Sequence, residues 1–145
     1  MRKLRRNIPS FIFTAELIST IFLISPWVDI GMSNPDIEIY EEKDPWLFKK
    51  SLSVCSKYWA DGLDLHDPRI SPIYGDFSGI KNVTVFTGTN EILYPDTMKF
   101  WNMLDKSDTN ELIVAEEMLY VYPLMPIPEA IPACNKIYQK ILRAY

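Results

Sequence analysis

The chain has 145 residues, 48% of them hydrophobic, which is enough for one globular domain with a buried core. A net charge of −4 and a sequence pI near 5.0 exclude a broad nucleic-acid surface, because phosphate binding needs clustered lysine and arginine. Cys55 and Cys134 lie far apart, without metal-ligand spacing. We therefore expect two reduced, half-buried thiols, no zinc site and no cofactor.

The first 24 residues combine a basic start with an apolar run. Four basic residues among the first six positions precede the stretch 8–24, a pattern shared with signal peptides and membrane anchors. Glu16 stands within that stretch, and a charged carboxylate there costs about 2.5–3.5 kcal/mol on insertion into a bilayer. Two interpretations stay open: a soluble packed segment of a cytoplasmic protein, or membrane contact through residues 1–24.

The next part of the chain predicts a short strand between two helices. A possible helix over 11–19 precedes the apolar run 21–25, which predicts a buried strand that Pro26 ends. The segment 44–59 has helical character, with Pro45 in its first turn. Its predicted apolar positions are Leu47, Leu52, Val54, Cys55 and Tyr58.

The rest of the chain repeats the alternation of strand and helix. Strands are predicted over 83–87 and 111–116, and helices over 95–104 and 128–143. This order is typical of an α/β fold, here with about three parallel strands and flanking helices. The inner face of the first of these helices is predicted as Phe100, Trp101 and Leu104, and the apolar stripe of the last as Ile131, Cys134, Ile137, Tyr138, Ile141 and Leu142.

One carboxylate closely follows the second predicted strand. Gly88 lets the backbone turn out of the sheet, and Glu91 comes three residues later. Open α/β sheets place their chemistry at the carboxyl ends of the strands, so Glu91 stands where a catalytic acid is expected. The alternative is a loop carboxylate on the surface, or one that caps a helix.

The residues around Glu91 resemble a known family. Phe86-Thr87-Gly88-Thr89-Asn90-Glu91-Ile92-Leu93 is similar to the segment that carries the triad acid in hormone-sensitive-lipase-like esterases of the α/β-hydrolase superfamily. Segments 24–29 and 67–73 also resemble parts of that family, in the same order. The resemblance implies that residues 21–145 are the C-terminal half of an α/β-hydrolase domain, after an atypical segment 1–20. It further implies a small acyl-ester substrate, with Glu91 at the triad acid position.

The resemblance also implies a histidine downstream, where this chain has none. The family's Met-x-His-Val phrase corresponds to Met118-Leu119-Tyr120-Val121, so Tyr120 occupies the histidine position. A phenol with a pKa near 10 is protonated at neutral pH and is a poor proton acceptor, and the simpler interpretation of Tyr120 is an aromatic side chain packed at the sheet edge. The single histidine, His66, is predicted to be a solvated turn residue beside Asp64 or Asp67.

The other parts of an esterase site have no counterpart in the sequence. None of the five glycines belongs to a Gly-x-Ser-x-Gly elbow, and no two are adjacent as in a His-Gly-Gly oxyanion turn. One hypothesis is a truncated member of the esterase family that is inactive alone. A second is a non-catalytic protein that associates, with itself or a partner, through an exposed sheet edge. A third is a small membrane-anchored protein.

Overall fold

Three parallel strands form the centre of the structure. A computed structural model describes residues 19–143, so the predicted helix over 11–19 lies outside the described residues apart from its last position. Strands β1 (Ile21–Ile24), β2 (Val83–Gly88) and β3 (Glu111–Ala115) form one sheet in the order β1-β2-β3. Both pairings are parallel, which confirms the predicted α/β class and all three strands.

Helices connect the strands and follow the last one. A long connection with two helices and a 3-10 turn joins β1 to β2, one helix joins β2 to β3, and a second 3-10 turn and the longest helix follow β3. The first helix and both 3-10 turns were not predicted. The helices are α1 (Ile37–Glu41), α2 (Lys49–Ala60), α3 (Tyr94–Met103) and α4 (Ala130–Arg143), and the turns are Pro72–Tyr74 and Tyr122–Leu124.

Strand β2 is buried on both of its faces. Val85 packs with Phe100 and Leu104 of α3, while the next residue, Phe86, packs with Ala133 of α4. Successive side chains of a strand point to opposite faces, so β2 needs apolar cover on each side. This double burial explains the continuous β-branched and aromatic run by which the strand was predicted.

Helix α2 begins later than predicted because its predicted first turn has another structure. The Asp44 carboxylate accepts hydrogen bonds from the backbone N–H groups of Trp46 and Leu47, at 2.9 and 3.0 Å. Phe48 is extended, with φ −126° and ψ 135°, so the helix can begin only at Lys49.

Only some of the apolar residues of α2 face the core. Leu52, Ser56 and Ala60, spaced by four residues, are the buried positions of this helix. Val54, Cys55 and Tyr58 are exposed instead, and Tyr58 is 83% accessible. Small residues allow the helix to approach its neighbours closely, which a search for large apolar side chains overlooks.

Helix α4 repeats this pattern. Ala130 and Ala133 are its buried residues, and Ile137 packs with Ala133 against Phe86 of the sheet. Most of the predicted apolar stripe is exposed: Ile131, Cys134, Tyr138, Ile141 and Leu142. Both cysteines are free and exposed, so the prediction that their thiols are half-buried was wrong.

Within residues 19–143, none of the helices is both long and apolar enough to cross a membrane. The predicted contact segment 1–24 lies mostly outside that range.

Candidate active site

Glu91 lies just beyond the carboxyl end of β2, and its side chain is 0% exposed. The segment that follows β3 crosses directly over this strand end. A Cβ atom added to Gly88 would lie 2.1 Å from the carbonyl oxygen of Met118, so only glycine fits there. The same carbonyl accepts a hydrogen bond from the Asn90 backbone N–H at 3.0 Å. Gly88 thus brings the segment after β3 close to Glu91.

Two hydroxyl groups bind the Glu91 carboxylate, one on each oxygen. Ser25 Oγ donates to Oε2 at 2.5 Å, and Thr87 Oγ1 donates to Oε1. Ser25 Oγ also accepts a hydrogen bond from the Val121 backbone N–H at 2.9 Å. Because Ser25 follows β1, Thr87 lies in β2 and Val121 follows β3, this network links the carboxyl ends of all three strands.

Two residues of this network have an unfavourable backbone conformation. Ser25 has φ 46° and Val121 has φ 52°, both in the left-handed region that non-glycine residues seldom adopt. The conformation is especially unfavourable for Val121, because its side chain is β-branched. Conformations of this kind persist only where surrounding contacts hold them, here the shared hydrogen bond between the two residues.

Burial raises the pKa of Glu91 to about 7. The hydrogen bonds from Ser25, Thr87 and the Gly88 backbone act in the opposite direction, and the Asp44 charge adds a smaller upward contribution. Desolvation therefore outweighs three favourable contacts, because a charged carboxylate loses its hydration inside the protein. A carboxyl group that titrates near neutral pH is a common property of functional sites, although buried structural carboxyls share it.

The structure places Tyr120 near this network without joining it. Its half-buried ring packs against a cluster that includes Ile37 of α1, Leu52 of α2, and Ile92 and Leu93 after Glu91. Among the described residues, no hydrogen bond connects Tyr120 to Glu91. The Tyr120 phenol is therefore part of an apolar cluster beside the acid.

His66 lies outside the site. Its ring is exposed, with Nδ1 3.1 Å from Asp64 Oδ1, as predicted for a turn residue. The ring also packs against Tyr74, with 4.7 Å between the ring centroids. Within residues 19–143, no group of three histidine, cysteine or acidic side chains could hold a metal ion.

A pair of buried carboxylates, Asp29 and Asp96, was not predicted. Asp29 accepts hydrogen bonds from the Ser33 hydroxyl at 2.5 Å and from Tyr74 at 3.2 Å. Asp96, in the first turn of α3, is 1% exposed, and neither of its oxygens has a hydrogen-bond partner among the described residues. Burial raises the pKa of Asp96 to about 6, with the polar neighbour Asn34 lowering it and the Asp29 charge raising it.

Sequence reasoning also missed Ser25 and Thr87 as partners of Glu91. The register of the sheet pairs Ile24 with Phe86, so the next residues, Ser25 and Thr87, come to lie on either side of the acid. Both are hydroxyl residues at predicted strand ends, which is the only indication of their role that the sequence contains.

A parallel sheet with helices on both faces and a buried acid beyond a strand end defines an α/β protein whose candidate site lies at the carboxyl ends of its strands. The family described as alpha/beta hydrolase fold matches residues 2–124. The chain therefore belongs to the alpha/beta hydrolase fold family. The match includes most of the segment 1–20, and the division of the domain at residue 20 stays a prediction.

Similar proteins include esterases and lipases, which confirms the resemblance predicted from the sequence. An esterase of Acinetobacter venetianus is 29% identical over 91 residues, which are 62% of this chain and 30% of that protein. A proposed esterase from Staphylococcus aureus has a TM-score of 0.78 at 34% identity, over 85% of this chain and 42% of that one. A hormone-sensitive lipase from a metagenome library, 22% identical, shares the fold with a TM-score of 0.79 over 88% and 45% of the two chains. This chain thus spans less than half the length of these relatives.

Proposed function

We propose that this chain is the acid-bearing, C-terminal part of a carboxylic-ester hydrolase for small acyl esters, and that it does not hydrolyse esters by itself. Membership of the alpha/beta hydrolase fold family and the likeness to esterases support the reaction class. The observation that supports the absence of ester hydrolysis is that Ser25 and Thr87 bind both oxygens of Glu91.

Triad chemistry requires an acid that orients an imidazole, which in turn takes a proton from a serine. Here the acid contacts two hydroxyls, and Tyr120 packs in the apolar cluster next to it. A phenol without a hydrogen bond to the acid cannot take the imidazole's part. Glu91 therefore holds the strand ends together in this chain without activating a base.

Ser25 is not a suitable nucleophile, although it is hydrogen-bonded to an acid. Its side chain is 3% exposed, so an ester carbonyl has no path to Oγ. The hydroxyl donates to Glu91 and accepts from the Val121 N–H, which leaves it in a closed structural network. Because the site has no nucleophile and no oxyanion donors, we expect it to accelerate ester hydrolysis far less than a complete triad would.

The test is hydrolysis of p-nitrophenyl butyrate by the purified 145-residue chain. We expect the rate of the buffer alone, no burst of p-nitrophenol, and no covalent labelling by a fluorophosphonate probe. A Glu91→Gln variant is the matched control, because hydrolysis that survives in it comes from a contaminant. Turnover or labelling of the wild-type chain that disappears in Glu91→Gln or Ser25→Ala would overturn the proposal.

A further inference from the structure

One buried carboxylate, Asp44, connects the candidate site to a distant part of the chain. It lies in the connection between α1 and α2 and is 3% exposed. Its Oδ1 atom accepts hydrogen bonds from the backbone N–H groups of Trp46 and Leu47, and its Oδ2 atom accepts one from the backbone N–H of Ile92, at 2.9 Å. Asp44 thus joins the α1–α2 connection to the residue directly after Glu91, 48 positions along the chain from Asp44 to Ile92.

The peptide group between Glu91 and Ile92 is held at both of its polar atoms. Its N–H donates to Asp44, and its carbonyl, that of Glu91, accepts from the Tyr94 N–H at 3.0 Å. A peptide group is planar, so two hydrogen bonds in different directions fix its orientation. Asp44 therefore helps to set the direction in which the Glu91 side chain leaves the backbone.

The buried position of Ile92 makes this hydrogen bond important. Ile92 is 0% exposed, so water cannot replace Asp44 as the acceptor of its N–H. Buried backbone N–H groups are almost always paired, because a group that loses its partner keeps the cost of its desolvation. The turn that carries Glu91 is therefore tied to one side chain from another element.

Asp44 is also a source of negative charge for Glu91. Its charge raises the pKa of Glu91, in the same direction as the larger effect of burial. The other polar side chains that act on Glu91 come from the three strand ends: the Ser25 and Thr87 hydroxyls and the Tyr122 phenol, whose own pKa burial raises. These groups are uncharged at neutral pH, so Asp44 supplies a charge that they do not.

We propose that Asp44 is a positioning residue for the candidate acid: it holds the peptide that follows Glu91 and places a like charge near that acid. The proposal deepens the proposed function and rests on it for the role of Glu91 as the acid. A triad acid works as a carboxylate that stabilises an imidazolium, and a like charge nearby disfavours that carboxylate. NMR measures the backbone and the ionisation of Glu91, not ester hydrolysis, so failure of this proposal and failure of the proposed function are distinguishable.

Asp44→Asn separates the two oxygens of the side chain. The amide keeps one acceptor, which suits the two donors Trp46 and Leu47, and turns a donor toward Ile92. We expect the Ile92 amide to exchange with solvent at least about tenfold faster than in the wild type, measured relative to the Val85 amide of β2.

The same variant is expected to change the ionisation of Glu91. Removal of the Asp44 charge should lower the pKa of Glu91 by about 0.5 pH unit, which is about a threefold lower proton affinity, as measured by carbon-13 NMR titration. Asp64→Asn is the matched control, because Asp64 accepts from the His66 N–H at 2.9 Å in the same kind of turn but is exposed.

Entry of water into the site would also lower the pKa of Glu91, and the Val121 amide distinguishes this effect. Its N–H donates to Ser25, and its exchange is expected to stay within about threefold of the wild-type rate. Three results would overturn the proposal: an unchanged or raised pKa of Glu91, an Ile92 amide that exchanges no faster than in Asp64→Asn, and a lowered pKa that is accompanied by loss of Val121 protection.

The wild-type chain offers a second test that does not depend on the folding of a variant. The amide protons of Trp46, Leu47 and Ile92 all donate to the same carboxylate. During an acid titration their chemical shifts are expected to change together, with the midpoint of the Asp44 carboxyl carbon. An Ile92 amide that does not follow this titration would mean that the bond to Asp44 is absent in solution, and the proposal would be wrong.

Discussion

A single hydroxyl group, that of Ser25, joins parts of the chain that are 96 residues apart. It accepts from the N–H of the half-buried Val121 and donates to Glu91, which is fully buried. Buried polar groups that lose their partner retain the cost of desolvation. The hydroxyl therefore contributes more to stability than an ordinary surface serine.

We predict that Ser25→Ala lowers the free energy of unfolding by about 2–3 kcal/mol, because the buried Glu91 carboxyl and the half-buried Val121 N–H both lose a partner. The pKa of Glu91 should rise further, since the Ser25 hydrogen bond now lowers it. Urea denaturation measures the first effect, and carbon-13 NMR titration of the carboxyl group the second. Ser53→Ala is the control, because that hydroxyl bonds only the Lys49 carbonyl within α2. Equal losses in both variants would contradict the prediction.

At the scale of the elements, the junction between the end of β2 and the segment after β3 depends on Gly88. A side chain here meets backbone and not a flexible side chain, so relief requires the Met118 segment to move. That movement would also disturb the hydrogen bond from Asn90 to Met118 and the approach of Val121 to Ser25.

We predict that Gly88→Ala lowers the free energy of unfolding by about 2–3 kcal/mol, the upper part of the usual range for overpacking, because the added Cβ meets backbone. Gly62→Ala adds the same methyl group where no atom lies within 4 Å, at φ +86°, and should cost about 1–2 kcal/mol for its left-handed backbone alone. Thermal and urea unfolding of the two variants compare the effects. If Gly88→Ala were the milder change, the close approach of Met118 would not exist in solution.

The elements also show which parts of the fold a sequence can predict. Strand β2 was predicted because double burial leaves a continuous apolar run, a local property. The buried faces of α2 and α4 could not be predicted, because Ala60, Ala130 and Ala133 pack inward while larger residues stay outside. Which face of a helix is buried depends on its partners, and these are set by the tertiary structure.

The candidate site was likewise predicted only in part. Glu91 was found by its distance from a strand and by resemblance to a family. Its partners Ser25 and Thr87 depend on the register between β1 and β2, which no local pattern specifies. Asp96 was missed because an acid in the first turn of a helix ordinarily faces water and interacts with the helix dipole.

At the scale of the whole molecule, two buried carboxyls with raised pKa values determine how stability depends on pH. Each binds a proton more tightly in the folded chain than in the unfolded chain, where the pKa values are near 4.5 for Glu91 and 3.8 for Asp96. Their favourable contribution is complete below those unfolded values. It is lost as the pH rises through about 6 for Asp96 and about 7 for Glu91.

We therefore predict that these two groups make the protein less stable at pH 8 than at pH 5.5, by about 1 kcal/mol for Asp96 and about 2 kcal/mol for Glu91. Asp96→Asn should flatten the dependence mainly below pH 6.5, and Glu91→Gln should flatten it up to about pH 7.5, because neither amide titrates. Urea denaturation at half-unit steps of pH separates the two ranges. Glu129→Gln, an exposed carboxyl, is the control and should follow the wild-type curve. A Glu91→Gln curve parallel to the wild type between pH 6 and 7.5 would mean that Glu91 is already ionised in the folded chain. The hydrogen bonds from Ser25 and Thr87 would then stabilise the ionised carboxylate strongly enough to offset the cost of its burial.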